Sequence, residues 1–245
     1  MNLKGKTALV TGAARRVGRV IALALAGRGA NVAVHFNTSG ADAERTAAEV
    51  RALGVECMTV QADLRKEAEV HAMMEAVARK YGGIDALVNN AAVFFKTPVA
   101  TVTAADWDRT IDPNLKAVFL CSVIAGRLMM EQPEGGAIVS IADTAGLRPY
   151  KDYIPYSISK AGVISMTQGL AKALAPKVRV NAVGPGPAMF PEDVPETLAR
   201  SMLEKTPLLR RGSPADVSAA VIFLVEGSEF LTGAFLPVDG GRIIA

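Results

Sequence analysis

The chain has 245 residues, half of them hydrophobic and 21% charged, with 22 Gly and 13 Pro. That is globular composition with enough length for a sizeable core, and it excludes disordered, collagen-like and disulfide-stapled classes. The formal net charge is only +3, and the basic residues are scattered, so no nucleic-acid partner is expected, while acidic small molecules remain possible.

From Met1 the chain runs through Lys4 and Lys6 straight into Thr7–Val10, without an apolar leader, and no apolar run approaches the eighteen residues of a membrane span. Cys57 and Cys121 sit in apolar stretches and read as buried free thiols in a reducing compartment. His35 and His71 are too few and too separated for a metal cluster and read as structural. A cytoplasmic protein without a metal or a membrane is expected.

Seven short apolar runs have strand length: Thr7–Thr11, Asn31–Phe36, Glu56–Gln61, Ala86–Asn89, Ala137–Ile141, Val178–Val183 and Ala234–Val238. Each is nearly all apolar, as expected when both faces are covered, and segments of helical period separate them. The first helix carries Val17, Val20, Ile21, Ala24 and Leu25 on one face and stops at Gly29. No linker or composition shift divides the chain. The pattern predicts an α/β fold, one doubly wound domain over 1–245 with a seven-stranded parallel sheet and helices on both faces. A proline- and glycine-rich stretch after the sixth strand, about 185–207, is a candidate substrate lid.

The first strand runs into Thr11-Gly12-Ala13-Ala14-Arg15-Arg16-Val17-Gly18 and opens directly into a helix. Gly12 suits a tight turn, Gly18 suits close helix–strand packing, and the helix N-terminus suits a pyrophosphate. Arg16 stands where a G-x-G-x-x-G pattern has its middle glycine. The second strand ends in His35-Phe36-Asn37-Thr38-Ser39, with no carboxylate to hold a ribose 2′-OH. Arg15 and Arg16 oppose the helix dipole and so call for an anion, and Asn37, Thr38 and Ser39 add neutral hydrogen bonds. This combination suits the 2′-phosphate of NADP(H). Further on, Tyr156-Ser157-Ile158-Ser159-Lys160 lies on a helix beginning near Asp152 or Tyr153 and puts a phenol and an ammonium on one face. The ammonium is expected to lower the phenol pKa and make Tyr156 a proton donor.

Together these motifs resemble the short-chain dehydrogenase/reductase family, over essentially the entire chain. The resemblance implies a three-layer Rossmann-type fold. It also extends to Asp63-Leu64 after the third strand, similar to the family's adenine-contacting acid, and to Asn89-Asn90-Ala91-Ala92, similar to its Asn-Asn-Ala-Gly. Asn114 stands where the family carries a fourth catalytic residue, and Pro185-Gly186 resembles the segment beside the nicotinamide. Thr232-Gly233 and Val238-Asp239-Gly240-Gly241 resemble its usual carboxyl terminus. Lys160 is implied to reach the nicotinamide ribose as well. A homodimer or homotetramer is implied through the helices around Asn114–Met130 and Tyr153–Leu174, which are apolar on more than one face. Met73, Met74, Met129 and Met130 read as core filler.

The family's serine, thirteen residues before the tyrosine, is replaced by Asp143. A carboxylate there would repel the oxyanion of ketone reduction, whereas reduction of C=N needs no oxyanion hole. Arg16, Asp143 and Phe94 are similar to the pteridine reductase branch, which implies that Phe94 stacks a pterin and that Asp143 works with Tyr156 in proton delivery. Arg16, Phe94, Asp143 and Tyr156 are then the expected substrate contacts. The alternative is an NADPH-dependent carbonyl reductase of a 3-ketoacyl thioester, sugar or quinone, with Thr144 or a bound water supplying the missing hydroxyl. A non-catalytic NADP-sensing protein is the remote third reading.

Overall fold

The computed structural model describes residues 1–186 and 204–245. Its strands are β1 (Thr7–Val10), β2 (Asn31–Phe36), β3 (Cys57–Gln61), β4 (Ala86–Asn89), β5 (Gly136–Ile141), β6 (Val178–Pro185) and β7 (Phe235–Val238). All pair in parallel, in the order β3-β2-β1-β4-β5-β6-β7. This is the expected seven-stranded sheet. The order reverses beside β1, so the carboxyl ends of β1 and β4 flank the crevice where ligands bind in doubly wound sheets.

Successive strand residues point to opposite faces, and the two halves of the core follow that alternation. Ala8, Val10, Val32, Val34, Val88 and Val139 pack on one side, beneath α1 (Arg16–Gly27), α2 (Gly40–Arg51) and α7 (Pro214–Ile222). Leu9, Ala33, Leu87 and Ile138 pack on the other, beneath α3 (Glu67–Tyr81), α5 (Ala117–Glu131) and α6 (Ile154–Leu174). Both faces are dry, which is why the strands read as apolar runs. Truncating Leu87 to Ala would cost about 2–5 kcal/mol by opening a cavity there.

Three helical details differ from the sequence reading. The buried stripe of α1 is Gly18, Ile21, Ala22, Leu25 and Ala26, rotated from the predicted stripe because α7 as well as the sheet packs against this helix. The helix expected over Asn114–Met130 is α5, preceded by α4 (Ala104–Ile111) and a π-helical turn, Asp112–Lys116. Pro113 sits in that turn, where its missing N–H is accommodated by the widened winding. Met130 is exposed, unlike the buried Met73, Met74 and Met129; it lies on the outer side of α5 and fills no core.

The α4–α5 rod, Ala104–Glu131, is long and apolar enough by length and composition to cross a membrane. Half of its most apolar window is buried within the protein, as for a helix that covers a sheet. Most of the predicted lid, residues 187–203, lies outside the described residues. Beyond it, Leu208 N–H donates to the Gly240 carbonyl at 3.1 Å and joins the chain to the segment after β7.

Candidate active site

The glycine loop is built by two residues with no room for a side chain. Gly12 has φ +62, and a Cβ on it would come within 2.9 Å of the Ala91 Cα. A Cβ on Gly18 would lie 2.4 Å from the Gly12 carbonyl oxygen and 2.5 Å from Asn90 Nδ2. The expected roles of the two glycines are thus met by the geometry. Asn90 braces the loop, its Nδ2 donating to the carbonyls of Thr11 at 3.0 Å and Gly12 at 3.1 Å, while Thr11 Oγ1 accepts the Ala91 N–H at 3.1 Å.

Helix α1 then starts with no side chain capping its N-terminal N–H groups and no acidic residue in its first turn. Its first residues, Arg15 and Arg16, are exposed. Arg16 keeps φ +54, a left-handed backbone normally reserved for glycine, although it carries a long side chain. Open N–H groups and two guanidinium groups at one helix end leave that end electropositive. Asn37 and Thr38 are exposed on the neighbouring loop, and Ser39 begins α2 without capping it. Asp63 is engaged by Arg65, whose Nε and Nη2 donate at 2.9 and 2.7 Å, which holds its carboxyl down at about 2. Leu64 is buried beside it.

His35, at the end of β2, was expected only as a structural residue. It is buried, and its Nδ1 accepts the Gly12 N–H at 3.0 Å. A lone buried histidine carries no sequence signal for such a role; its position one strand across from a glycine loop would have been the clue.

The cluster of Asp143, Tyr156 and Lys160 sits where β5 meets α6. Asp143 follows β5 and caps a short 3-10 turn, Thr144–Gly146, with Oδ1 accepting the Ala145 N–H at 2.7 Å. Its other oxygen, Oδ2, accepts the Tyr156 hydroxyl at 2.8 Å. Thr144 Oγ1 lies 3.4 Å from Oδ1, on the side away from the phenol, and Ser140 is taken up by Asn89 in the core. Lys160, one turn after Tyr156, donates from Nζ to the Ile141 carbonyl at 2.8 Å and lies 5.7 Å from the phenol ring centre.

The electrostatics of this group differ from the sequence expectation. Tyr156 was expected to be acidified by Lys160, but burial and then the Asp143 charge hold its pKa well above the ordinary phenol value. The ammonium is committed to a backbone carbonyl, whereas the carboxylate touches the hydroxyl directly. Burial also raises the Asp143 carboxyl and pulls the Lys160 ammonium down to about 8. In the free protein Tyr156 is therefore held as the protonated phenol, hydrogen-bonded to Asp143.

Asn114 is fully buried in the π-helical turn, where it accepts the Val93 N–H at 2.8 Å and donates to the Val93 carbonyl at 2.9 Å. This closed pair fixes the chain just before Phe94 and leaves Asn114 apart from Lys160 in hydrogen bonding. Phe94 is 51% exposed, lies parallel to Tyr153 with ring centres 4.4 Å apart, and turns its ring at 75° to Tyr156. Tyr153 was not anticipated as part of this platform. Pro185 and Gly186 end β6, and a Cβ on Gly186 would fall 2.7 Å from the Asp239 Cα.

Comparisons with known proteins agree with this architecture. Residues 12–242 match the family model described as Enoyl-(Acyl carrier protein) reductase. A 3-oxoacyl-(acyl-carrier-protein) reductase from Synechocystis sp. is 38% identical over 246 residues, covering 99% of this chain and 98% of the relative. A dehydrogenase/reductase from Sinorhizobium meliloti 1021 superimposes with a TM-score of 0.92 at 33% identity, covering 98% of this chain and 96% of that one. An NAD+-bound xylitol dehydrogenase also gives a TM-score of 0.92, at 31% identity, covering 98% of this chain and 100% of that one. The relatives' names side with the expected carbonyl alternative rather than with pteridine reduction.

Proposed function

This chain belongs to the short-chain dehydrogenase/reductase family, and from that premise we propose that it is an NADPH-dependent reductase of a carbonyl group, with a 3-oxoacyl thioester as the substrate class. The observation that carries the reductase reading is the buried Tyr156–Asp143 hydrogen bond beside Lys160. The glycine loop fits a dinucleotide, because Gly12 and Gly18 pack it too tightly against Ala91 and Asn90 for any Cβ and so draw the backbone close at the open end of α1. The open end of α1 with Arg15 and Arg16 fits the phosphates, Asn37–Ser39 the 2′-phosphate surroundings, Asp63 and Leu64 the adenine, and Asn90, Ala91, Lys160, Pro185 and Gly186 the nicotinamide half. NADPH, when bound, supplies the hydride.

Tyr156 gives its proton to the substrate oxygen as negative charge develops there. Lys160 lies on the same side and stabilises the phenolate that is left. Asp143 acts through the phenol: its buried Oδ2 accepts the Tyr156 hydroxyl and so orients the donor at the position where the family uses a hydroxyl. Asn114 acts at one remove, by holding the Val93 backbone ahead of Phe94.

A second reading, reduction of a dihydropterin or dihydrofolate-type ring, is favoured by one observation. The half-exposed Phe94 ring, backed by Tyr153, offers a flat aromatic surface next to the proton donor. An NADPH-oxidation panel of acetoacetyl thioester, dihydropterin, dihydrofolate and a quinone separates the two. Fastest turnover of the thioester supports the first reading, turnover confined to pterins transfers the assignment, and no turnover with any of them refutes both. A homodimer or homotetramer formed through α5 and α6 belongs to the same proposal, supported by the exposed Phe119 and Ile158. So does a cytoplasmic setting, supported by two buried free cysteines.

A further inference from the structure

His35 touches two loops at once. The Gly12 N–H can only donate, so Nδ1 must accept it, and the ring proton is left on Nε2. Nε2 in turn donates to the Ala62 carbonyl at 3.0 Å, on the segment leading from β3 to Asp63 and Leu64. The backbone carbonyl of the same residue accepts the Ala13 N–H at 2.9 Å. One side chain from the middle strand of the β3-β2-β1 trio therefore joins the loop after β1 to the loop after β3. The side chain is 2% exposed, and burial disfavours its charged form. The single-tautomer arrangement fixes both bonds in direction. Among the described residues Asn90 also holds the Gly12 carbonyl from the β4 side, so the left-handed turn is clamped between two strands.

We propose that His35 is the positioning residue for the dinucleotide: its Nδ1 holds the Gly12 turn of the loop that takes the pyrophosphate, and the Ala62 bond fixes the Nε2–H tautomer that leaves Nδ1 free to accept. The proposal rests on the reading of this edge as a dinucleotide site. His35 touches neither reacting atoms nor the proton-transfer group, so its effect falls on binding and leaves the chemical step alone.

The two bonds can be separated by substitution. Asn places its Oδ1 where Nδ1 stands and keeps the acceptor for Gly12; Gln places its Nε2 where the ring Nε2 stands and keeps the donor for Ala62; Leu keeps neither. NADP+ binding to the full chain is measured by calorimetry for the parent, His35→Asn, His35→Gln and His35→Leu, with thermal unfolding of each without cofactor. Nitrogen NMR of the parent reads the tautomer directly. Expected are the Nε2–H tautomer, a Kd for His35→Asn within about threefold of the parent, and Kd values for His35→Gln and His35→Leu at least about tenfold higher, as loss of a bond at the phosphate loop implies. Turnover at saturating NADPH should stay within about twofold of the parent for all three. If His35→Leu fails to fold, the order of His35→Asn above His35→Gln in affinity decides. Equal Kd values across parent and variants, His35→Asn as weak as His35→Gln, or an Nδ1–H tautomer would overturn the positioning role. Absence of both NADP+ and NAD+ binding in the parent would instead overturn the dinucleotide site, and the positioning role with it.

Discussion

Replacing Arg16 by Gly should make the free protein more stable and its cofactor complex weaker. Arg16 is held at φ +54, where a non-glycine residue costs roughly 1–2 kcal/mol. Glycine removes most of that strain, and for a chain of this size each kcal/mol moves Tm by about 2–4 °C. The substitution also removes an exposed guanidinium at the open end of α1. A charge-assisted hydrogen bond to the 2′-phosphate contributes about 1.5–3 kcal/mol, so the NADPH Kd should rise at least about tenfold. The NADH Kd should change by less than about threefold, since NADH lacks that phosphate. Arg16→Ala gives the same loss of affinity without the gain in Tm, because alanine keeps the strained backbone. Differential scanning fluorimetry and fluorescence titration with both cofactors read these effects. An Arg16→Gly protein that binds NADPH like the parent, or that melts earlier in the absence of cofactor, would refute the reasoning.

Lys160→Ala should both lower kcat and raise the NADPH Kd, because the same ammonium serves the phenolate and the ribose; a change in kcat alone, seen by comparing titration with steady-state rates, would remove the binding role. Asp143→Ser should keep or raise thioester turnover if the substrate is a ketone, and should lower dihydropterin turnover by roughly 10²–10⁴-fold if it is a pterin, the usual worth of a positioned acid. Phe94→Ala should raise KM for a flat ring substrate and barely move that of an acyl thioester; equal KM changes for both would deny Phe94 a role in discrimination. The Asp143 carboxyl is raised by burial, so the folded state holds its proton more tightly than the unfolded chain does, and its contribution to stability is largest below the unfolded value near 4 and is lost as pH rises through the folded value. Asp143→Asn should therefore melt at a higher temperature than the parent at neutral pH, with the gap closing below about pH 4; a gap independent of pH would contradict a buried ionisable role.

The sheet was legible because its strands are covered on both faces, so that runs such as Ala8-Leu9-Val10 are apolar throughout. Gly12 and Gly18 were legible for a related reason, since only glycine fits between the loop and Ala91 or Asn90. Side-chain partnership was harder to read. The Tyr156–Lys160 spacing points to an acidified phenol, yet burial, and then the contact with Asp143 thirteen residues away on another element, reverse the direction. The π-helical turn that sets Asn114 against Val93 depends on Pro113 and on packing together, and neither leaves a periodic trace. Met130 shows the limit of composition, because a methionine reads the same whether it faces the sheet or the outside.

The claim on which the rest depends is that Tyr156 is the proton donor of an NADPH-driven reduction. Tyr156→Phe keeps the ring and removes only the hydroxyl that meets Asp143 at 2.8 Å. With acetoacetyl thioester and dihydropterin as substrates, NADPH oxidation followed at saturating cofactor should fall by roughly 10²–10⁴-fold on whichever one the parent reduces, while the NADPH Kd stays within about twofold. A Tyr156→Phe protein that retains the parent's kcat would contradict the account.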